Sequence, residues 1–216
     1  MPVSLCKFSR TDILFRQNTM KKTDISADEI VRILEECIFI KQAIAKHNVS
    51  EIKHLAEIVI GAYRNGGKLI LMGNGGSAAD AQHIVCELVG QFKLKRKAFP
   101  AIALTTNTST LTAIANDYGY NAVFSRQVEA LVTGKDVVIG ISTSGDSPSV
   151  VEAIEAAKIR GAKTIGLTGG DGGRLAKVAD FTLIVPSDST PRIQEMHITI
   201  GHIVCEMVEK ELAGDA

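Results

Sequence analysis

The residues best suited to acid–base chemistry lie on two segments far apart in the sequence. His83 and Glu87 are four residues apart in a stretch with helical periodicity, so both side chains project from one helix face and can converge on one ion or substrate. Partial burial of Glu87 among its apolar neighbours would suit a general base. The same spacing is also typical of a His–Glu pair on the surface of an amphipathic helix.

A second polar pair lies near the C terminus, in another stretch with a helical pattern. Gln194 and His202 are eight residues apart, which separates them by about 80° around an ideal helix and lets both reach the same side. His197 and His202 are about 140° apart on the same geometry and are not expected to share a ligand. Taken alone, Gln194 and His202 are also consistent with ordinary polar positions.

Two unusual segments follow predicted strands. The first, Gly73–Asp80, is rich in glycine, which permits close backbone approach to a ligand, and it opens a helix whose N–H groups favour an anion or sugar oxygens. It lacks the third glycine of a dinucleotide fingerprint and the lysine of a Walker loop. Such a turn is also common without a ligand.

The second segment carries four hydroxyl groups within six residues, those of Ser142, Thr143, Ser144 and Ser147. Each hydroxyl donates one hydrogen bond and the backbone amides add more, so the cluster can hold a phosphate without lysine or arginine. A helix N-cap role would explain Ser147 but not the other three. The segment therefore predicts a phosphate site.

The elements that position these residues form an alternating pattern after residue 67. Short apolar runs separated by helical stretches indicate a parallel sheet covered on both faces. Strands are predicted at 68–72, 101–104, 136–141, 163–167 and 181–185. Helices are predicted at 24–46, 50–65, 78–91, 109–116, 121–132, 147–160, 173–177 and 192–212. The fold class is therefore α/β, a doubly wound five-stranded parallel sheet with an N-terminal helical arm.

Composition restricts the classes of partner. The 216 residues contain 24 Lys plus Arg and 24 Asp plus Glu, so charge gives no reason to expect nucleic acid or a membrane as partner. No apolar run reaches about 18 residues and no signal-peptide core is seen, so we expect a cytoplasmic protein. Cys86 and Cys205 lie in apolar helical patterns and are predicted to be buried free thiols.

The two loops together resemble those of the SIS (sugar isomerase) family, whose members bind phosphosugars on a flavodoxin-like sheet. Gly-Asn-Gly-Gly-Ser at 73–77 precedes Ile-Ser-Thr-Ser-Gly-Asp-Ser at 141–147, and the likeness covers nearly all of residues 24–212. It implies one SIS domain over 24–216 that includes the N-terminal helices, after a flexible extension over 1–23 in which Met20 is an alternative start. Asp146, where close relatives often carry Asn, is expected to point away from the phosphate or to cap a helix.

Within that family, the chemical residues resemble those of the phosphoheptose isomerases. The likeness implies one zinc ion per subunit, with Glu87 as base and His202 as acid, in the interconversion of sedoheptulose 7-phosphate and D-glycero-D-manno-heptose 7-phosphate through an enediol for bacterial surface heptoses. The implied metal ligands are His83, Glu87, Gln194 and His202. The implied substrate contacts are Asn74, Gly75, Gly76, Ser77, Asp117, Ser142, Thr143, Ser144, Ser147 and Gln194.

The helices also carry more apolar surface than one sheet domain readily covers, which favours a homo-oligomer; the resemblance implies a homotetramer with sites at subunit interfaces. Three other functions stay open. A non-catalytic SIS protein of the replication-initiation-associated type would lack the Glu87 and His202 residue types. A sugar-phosphate sensor for a transcription factor would need a DNA-binding unit, which residues 1–66 do not offer. An isomerase of a pentose or hexose phosphate would differ in pocket depth.

Overall fold

The computed structural model describes residues 26–215, and its helices and strands alternate after two initial helices. The strands are β1 (Leu69–Gly73), β2 (Ala101–Ala103), β3 (Val137–Ile141), β4 (Lys163–Gly169) and β5 (Phe181–Val185). The helices are α1 (Ala27–His47), α2 (Val49–Arg64), α3 (Gly76–Val89), α4 (Thr108–Tyr118), α5 (Ala122–Leu131), α6 (Pro148–Ile159), α7 (Leu175–Val178) and α8 (Thr190–Leu212), and a 3₁₀ turn follows at Ala213–Asp215. The predicted extension over 1–23 and the alternative start at Met20 lie outside the described residues.

The five strands form one parallel sheet in the order β2-β1-β3-β4-β5. All residues of β1 and β3 are buried, as expected for central strands covered on both faces. The order reverses at β1, so the loops after β1 and β3 leave neighbouring strands at the same edge of the sheet. The predicted doubly wound α/β fold is confirmed.

Successive strand residues point to opposite faces and divide the core into two layers. Leu71 and Ile139 face a layer that includes side chains of α2, α3 and α8. Ile70 and Val138 face the other layer, which includes side chains of α5 and α6. Because α3 and α8 cover the same face, the two helices that carry the predicted chemical residues lie side by side.

A glycine lies where those two helices contact each other. A Cβ atom added to Gly201 on α8 would lie 2.6 Å from Cδ1 of Ile84 on α3, so a larger residue would require the Ile84 side chain to shift. Gly201 precedes His202, and Ile84 follows His83. The contact therefore brings the two histidines onto facing turns.

The prediction for the cysteines is confirmed in one case and wrong in another. Cys205 is buried, but Cys86 is exposed. Helix α3 turns Ala81, Ile84 and Leu88 toward the core, and Cys86 lies on a different side of the helix despite its apolar neighbours. Within residues 26–215, no helix is both long enough and apolar enough to cross a membrane.

Candidate active site

The acid–base candidates of α3 and α8 meet where the two helices touch. Nε2 of His83 lies 3.2 Å from Oε1 of Glu87 and 2.9 Å from Nε2 of His202. One ligand atom from each of the three residues lies within 4.8 Å of the others. The i, i+4 spacing on α3 therefore brings His83 and Glu87 together as predicted, and α8 supplies the third group, His202.

These three residues fit a metal ion. Zinc binds imidazole nitrogen and carboxylate oxygen at about 2.0–2.2 Å in tetrahedral geometry, which places neighbouring ligand atoms roughly 3.3 Å apart. The spacings of 2.9 and 3.2 Å are close to that value. Two imidazoles and one carboxylate form a donor set that suits zinc and other first-row metals. The Glu87 side chain is 19% exposed and His83 is 50% exposed, so the site opens to solvent on one side.

Gln194 occupies a different place from the other three predicted ligands. A Cβ added to Gly76 would lie 2.5–2.8 Å from the Gln194 amide atoms, so this side chain packs on the first turn of α3. Eight residues along α8 correspond to about 12 Å of rise between Gln194 and His202. The membership of Gln194 in the metal set stays a prediction, and its amide lies beside the predicted sugar loop.

The hydroxyl-rich loop after β3 has a defined internal arrangement. Ser142 Oγ donates to Ser147 Oγ at 3.0 Å, so Ser147 contacts the loop rather than capping α6 with its side chain. Ser144 Oγ accepts from the Asp146 N–H at 3.2 Å. Thr143 and Ser144 also line a cavity of 150 Å³ between the ends of β3 and β4, together with Asp171 and Asp188. The two carboxylates disfavour an anion in this cavity, so the predicted phosphate site rests on the hydroxyl cluster itself.

Asp146 points away from these hydroxyls. Its Oδ1 accepts from the Arg174 N–H at 3.0 Å, at the N-cap of α7. Gly145 has a φ of +70°, and a Cβ there would lie 2.1 Å from the Gly172 carbonyl oxygen, so the turn requires glycine. Asp146 therefore points away from the hydroxyls, as one of the two expectations had it, and it bonds to the start of α7 rather than capping the helix that follows it.

The glycine-rich loop after β1 is tied to two residues that sequence reasoning missed. Asn74 Nδ2 donates to Ser149 Oγ at 3.1 Å, and Tyr120 Oη donates to Asn74 Oδ1 at 2.8 Å. Ser77 is buried. These bonds fix the Asn74 amide at the junction of the β1 and β3 loops. No local pattern marks Tyr120 or Ser149, because each contact joins separate elements.

Two further residues named by the sequence have separate environments. Asp117 lies near the end of α4, where its Oδ1 accepts from Asn116 Nδ2 at 2.8 Å. His197 is fully buried and its Nε2–H donates to the Thr168 carbonyl at 3.2 Å. Burial lowers the pKa of His197 to about 4, against a smaller opposing effect of that hydrogen bond. His197 is therefore neutral and structural, and it does not face His202.

The chain matches known proteins over most of its length. The SIS domain family matches residues 34–169. A phosphoheptose isomerase of Geobacter sp. (strain M21) is 61% identical over 161 residues, which is 74% of this chain and 84% of that protein.

Solved structures of phosphoheptose isomerases have the same fold. A phosphoheptose isomerase from Neisseria gonorrhoeae superposes with a TM-score of 0.81 at 44% identity, over 85% of this chain and 98% of that one. One from Francisella tularensis gives a TM-score of 0.84 at 38% identity, over 87% and 100%. With an extensive sequence match, the same sheet and a convergent His–Glu–His site, the chain belongs to the SIS domain family and, within it, to the phosphoheptose isomerases.

Proposed function

We propose that this isomerase interconverts sedoheptulose 7-phosphate and D-glycero-D-manno-heptose 7-phosphate, with one zinc ion per subunit, and so supplies heptose for bacterial surface polysaccharides. The observation that carries the proposal is the convergence of His83, Glu87 and His202 at one point. A protein that only binds sugar phosphates has no need of such a set. The names of the similar proteins support the substrate class.

Substrate binding is divided between two loops. The hydroxyls of the β3 loop hold the phosphate, as their number and their place at the carboxyl edge of the sheet favour. The β1 loop contacts the sugar, aided by Gln194 on α8 and by Asp117. The proposed phosphate ligands are Ser142, Thr143, Ser144 and Ser147, and the proposed sugar contacts in the β1 loop are Asn74, Gly75, Gly76 and Ser77. The phosphate then fixes one end of a long substrate, so that the other end is presented to α3 and α8.

Proton transfer is the work of Glu87 and His202. The carboxylate removes a proton from one of carbons 1 and 2 and returns it to the other, while the imidazole exchanges a proton with the neighbouring oxygens. The reactive atoms of Glu87 and His202 lie within 4.8 Å of each other, a separation that suits adjacent atoms of one substrate. When bound, zinc supplies Lewis-acid polarisation of the substrate oxygens. Neither a tightly bound carboxylate nor a metal-bound imidazole nitrogen can exchange a proton, so Glu87 and His202 must both bind the metal loosely during turnover.

We further propose a cytoplasmic homotetramer, without a nucleic acid or membrane partner, whose sites lie at subunit interfaces. Ile38 and Phe39 on α1 are each 54% exposed, and Ile203 and Met207 next to the site on α8 are partly exposed. Such apolar faces favour burial against another subunit. Light scattering should give four chains per particle; a monomer with full activity would contradict the proposal.

The function is tested by incubation with sedoheptulose 7-phosphate, with and without a chelator, followed by product analysis. We expect conversion to the aldose, loss of conversion with chelator, and recovery with zinc. Glu87→Gln should lower turnover by about 10² or more. Glu57→Gln is the matched control, because Glu57 is an exposed helix residue that pairs with Lys53. Binding without turnover of any heptose, hexose or pentose phosphate would favour the non-catalytic alternative, and preference for a shorter sugar would favour another isomerase.

A further inference from the structure

A buried carboxylate in the last turns of α8 takes no part in the proposed chemistry. The Glu209 side chain is 1% exposed and accepts hydrogen bonds from the N–H groups of Lys93 and Leu94, at 2.8 and 2.9 Å. Burial alone would raise the pKa of Glu209, but these N–H groups and the Arg96 guanidinium hold it below its usual value. Glu209 is therefore ionised and fixes residues 91–97, here called the 91–97 loop, to α8.

Arg96 fixes the same loop to α3. Its side chain is also 1% exposed, and Nε donates to Glu209 at 3.0 Å. The two terminal nitrogens donate to the carbonyls of Glu87 and Leu88, at 2.8 and 2.9 Å. These carbonyls belong to the last turn of α3, where helix carbonyls lack partners within the helix. One guanidinium therefore joins the end of the helix that carries Glu87 to the helix that carries His202.

The 91–97 loop places an aromatic ring against the proposed acid. The rings of Phe92 and His202 have centroids 5.6 Å apart and an interplanar angle of 20°. Lys93 adds an ion pair to Glu206 on α8 at 2.6 Å. Imidazole turns about two side-chain bonds, so a ring stacked on its face restricts its orientation. The Nε2 atom at the edge of the same imidazole lies 2.9 Å from Nε2 of His83.

We infer that Phe92 is a positioning residue for His202, held in place by the Arg96–Glu209 pair. The inference rests on the proposed function, in which His202 must meet the same substrate atoms as Glu87. Arg96 and Glu209 fix the position of the 91–97 loop, the loop fixes the position of the Phe92 ring, and the ring limits the orientation of the His202 imidazole. A displacement of about 1 Å at a reacting group can slow a reaction by about 10²-fold, so the loss of one packing surface should reduce turnover measurably.

Phe92→Leu tests this with little risk to the fold, since leucine keeps an apolar side chain at a half-buried position. We expect kcat to fall about tenfold, within the range that misplacement produces, while KM for the sugar phosphate changes less than about twofold because the phosphate loop is separate. Phe92→Tyr keeps the ring and should retain the wild-type kcat. Phe181→Leu is the matched control: Phe181 is also half-buried and contacts a histidine, His54, at a centroid distance of 5.2 Å.

A second measurement does not depend on activity. In protein labelled with ¹³C at histidine Cε1, the His202 signal is assigned by its absence in His202→Gln, with and without zinc. Phe92→Leu should shift this signal downfield because the ring above it is gone, and Phe181→Leu should not move it. The inference is overturned if Phe92→Leu keeps the wild-type kcat, if Phe181→Leu loses as much, or if the His202 signal does not move. If the wild type shows no turnover, the proposed function fails, and the His202 signal still decides the role of Phe92.

Discussion

Replacing Arg96 with methionine should destabilise the fold strongly, because it removes the cation that pairs with the buried Glu209 carboxylate and leaves that charge to the backbone N–H groups of Lys93 and Leu94. Arg96 and Glu209 are each 1% exposed, so water cannot take the place of the guanidinium. The Glu87 carbonyl also loses the donor at 2.8 Å. Methionine keeps much of the apolar volume, so electrostatics should dominate over cavity formation. Loss of one partner of a buried ion pair costs about 3–5 kcal/mol, which for a chain of this size is roughly 6–20 °C in Tm.

The matched control is Arg64→Met. Arg64 pairs with Glu211 on α8 at 2.7 Å, but the two side chains are 52% and 53% exposed. A pair in water contributes about 1 kcal/mol or less, so this variant should unfold near the wild-type midpoint. Both variants are unfolded in urea at one protein concentration and with chelator present, because bound metal and subunit association both shift apparent stability. Equal losses for Arg96→Met and Arg64→Met would refute the argument from burial.

Four other outcomes are expected. Ser144→Ala should raise KM with little change in Tm, and an unchanged KM in an active enzyme would remove this loop from the phosphate site. Glu87→Gln and His202→Ala should each slow single turnovers by about 10² or more, and the double variant should lose less than the product of the two if they act as one unit; fully multiplicative losses would contradict a shared step. The unfolded chain protonates His197 below about pH 6.5 and the folded chain only near pH 4, so the free energy of unfolding should fall by up to about 3 kcal/mol as pH falls through that window. In His197→Gln the free energy of unfolding should depend less on pH, and an unchanged pH dependence would contradict this. Chelator should lower the Tm of the wild type but not of His83→Gln, and no shift in the wild type would argue against a bound metal.

The fold was accessible from the sequence because buried parallel strands have a distinctive pattern. Runs such as Leu69–Gly73 and Val137–Ile141 consist of apolar residues and glycine, and all of their residues are buried. A turn that contains glycine follows each run. The convergence of His83 with Glu87 also followed from helix spacing alone. Cys86 shows the limit of such reasoning, since apolar neighbours on a helix do not all face the same side.

Contacts between distant elements were not accessible in this way. A helical wheel places Gln194 and His202 on one side but ignores about 12 Å of rise between them, and Gln194 lies at Gly76. Arg96 and Glu209 are 113 residues apart in the sequence. Each looks like an ordinary surface charge in its own segment. Only the approach of α3 and α8 makes them one unit.

The position of α8 after all five strands in the sequence affects when activity appears. His83 and His202 are separated by 119 residues, and α8 also supplies buried residues such as Ile193, Ile200 and Val208 to the core. During synthesis the sheet and both ligand loops leave the ribosome before this helix does. The arrival of α8 thus closes the hydrophobic layer and brings the proposed acid, His202, in the same event. A nascent or truncated chain without α8 lacks both the closed layer and His202, so incompletely folded molecules in the cell should be inactive.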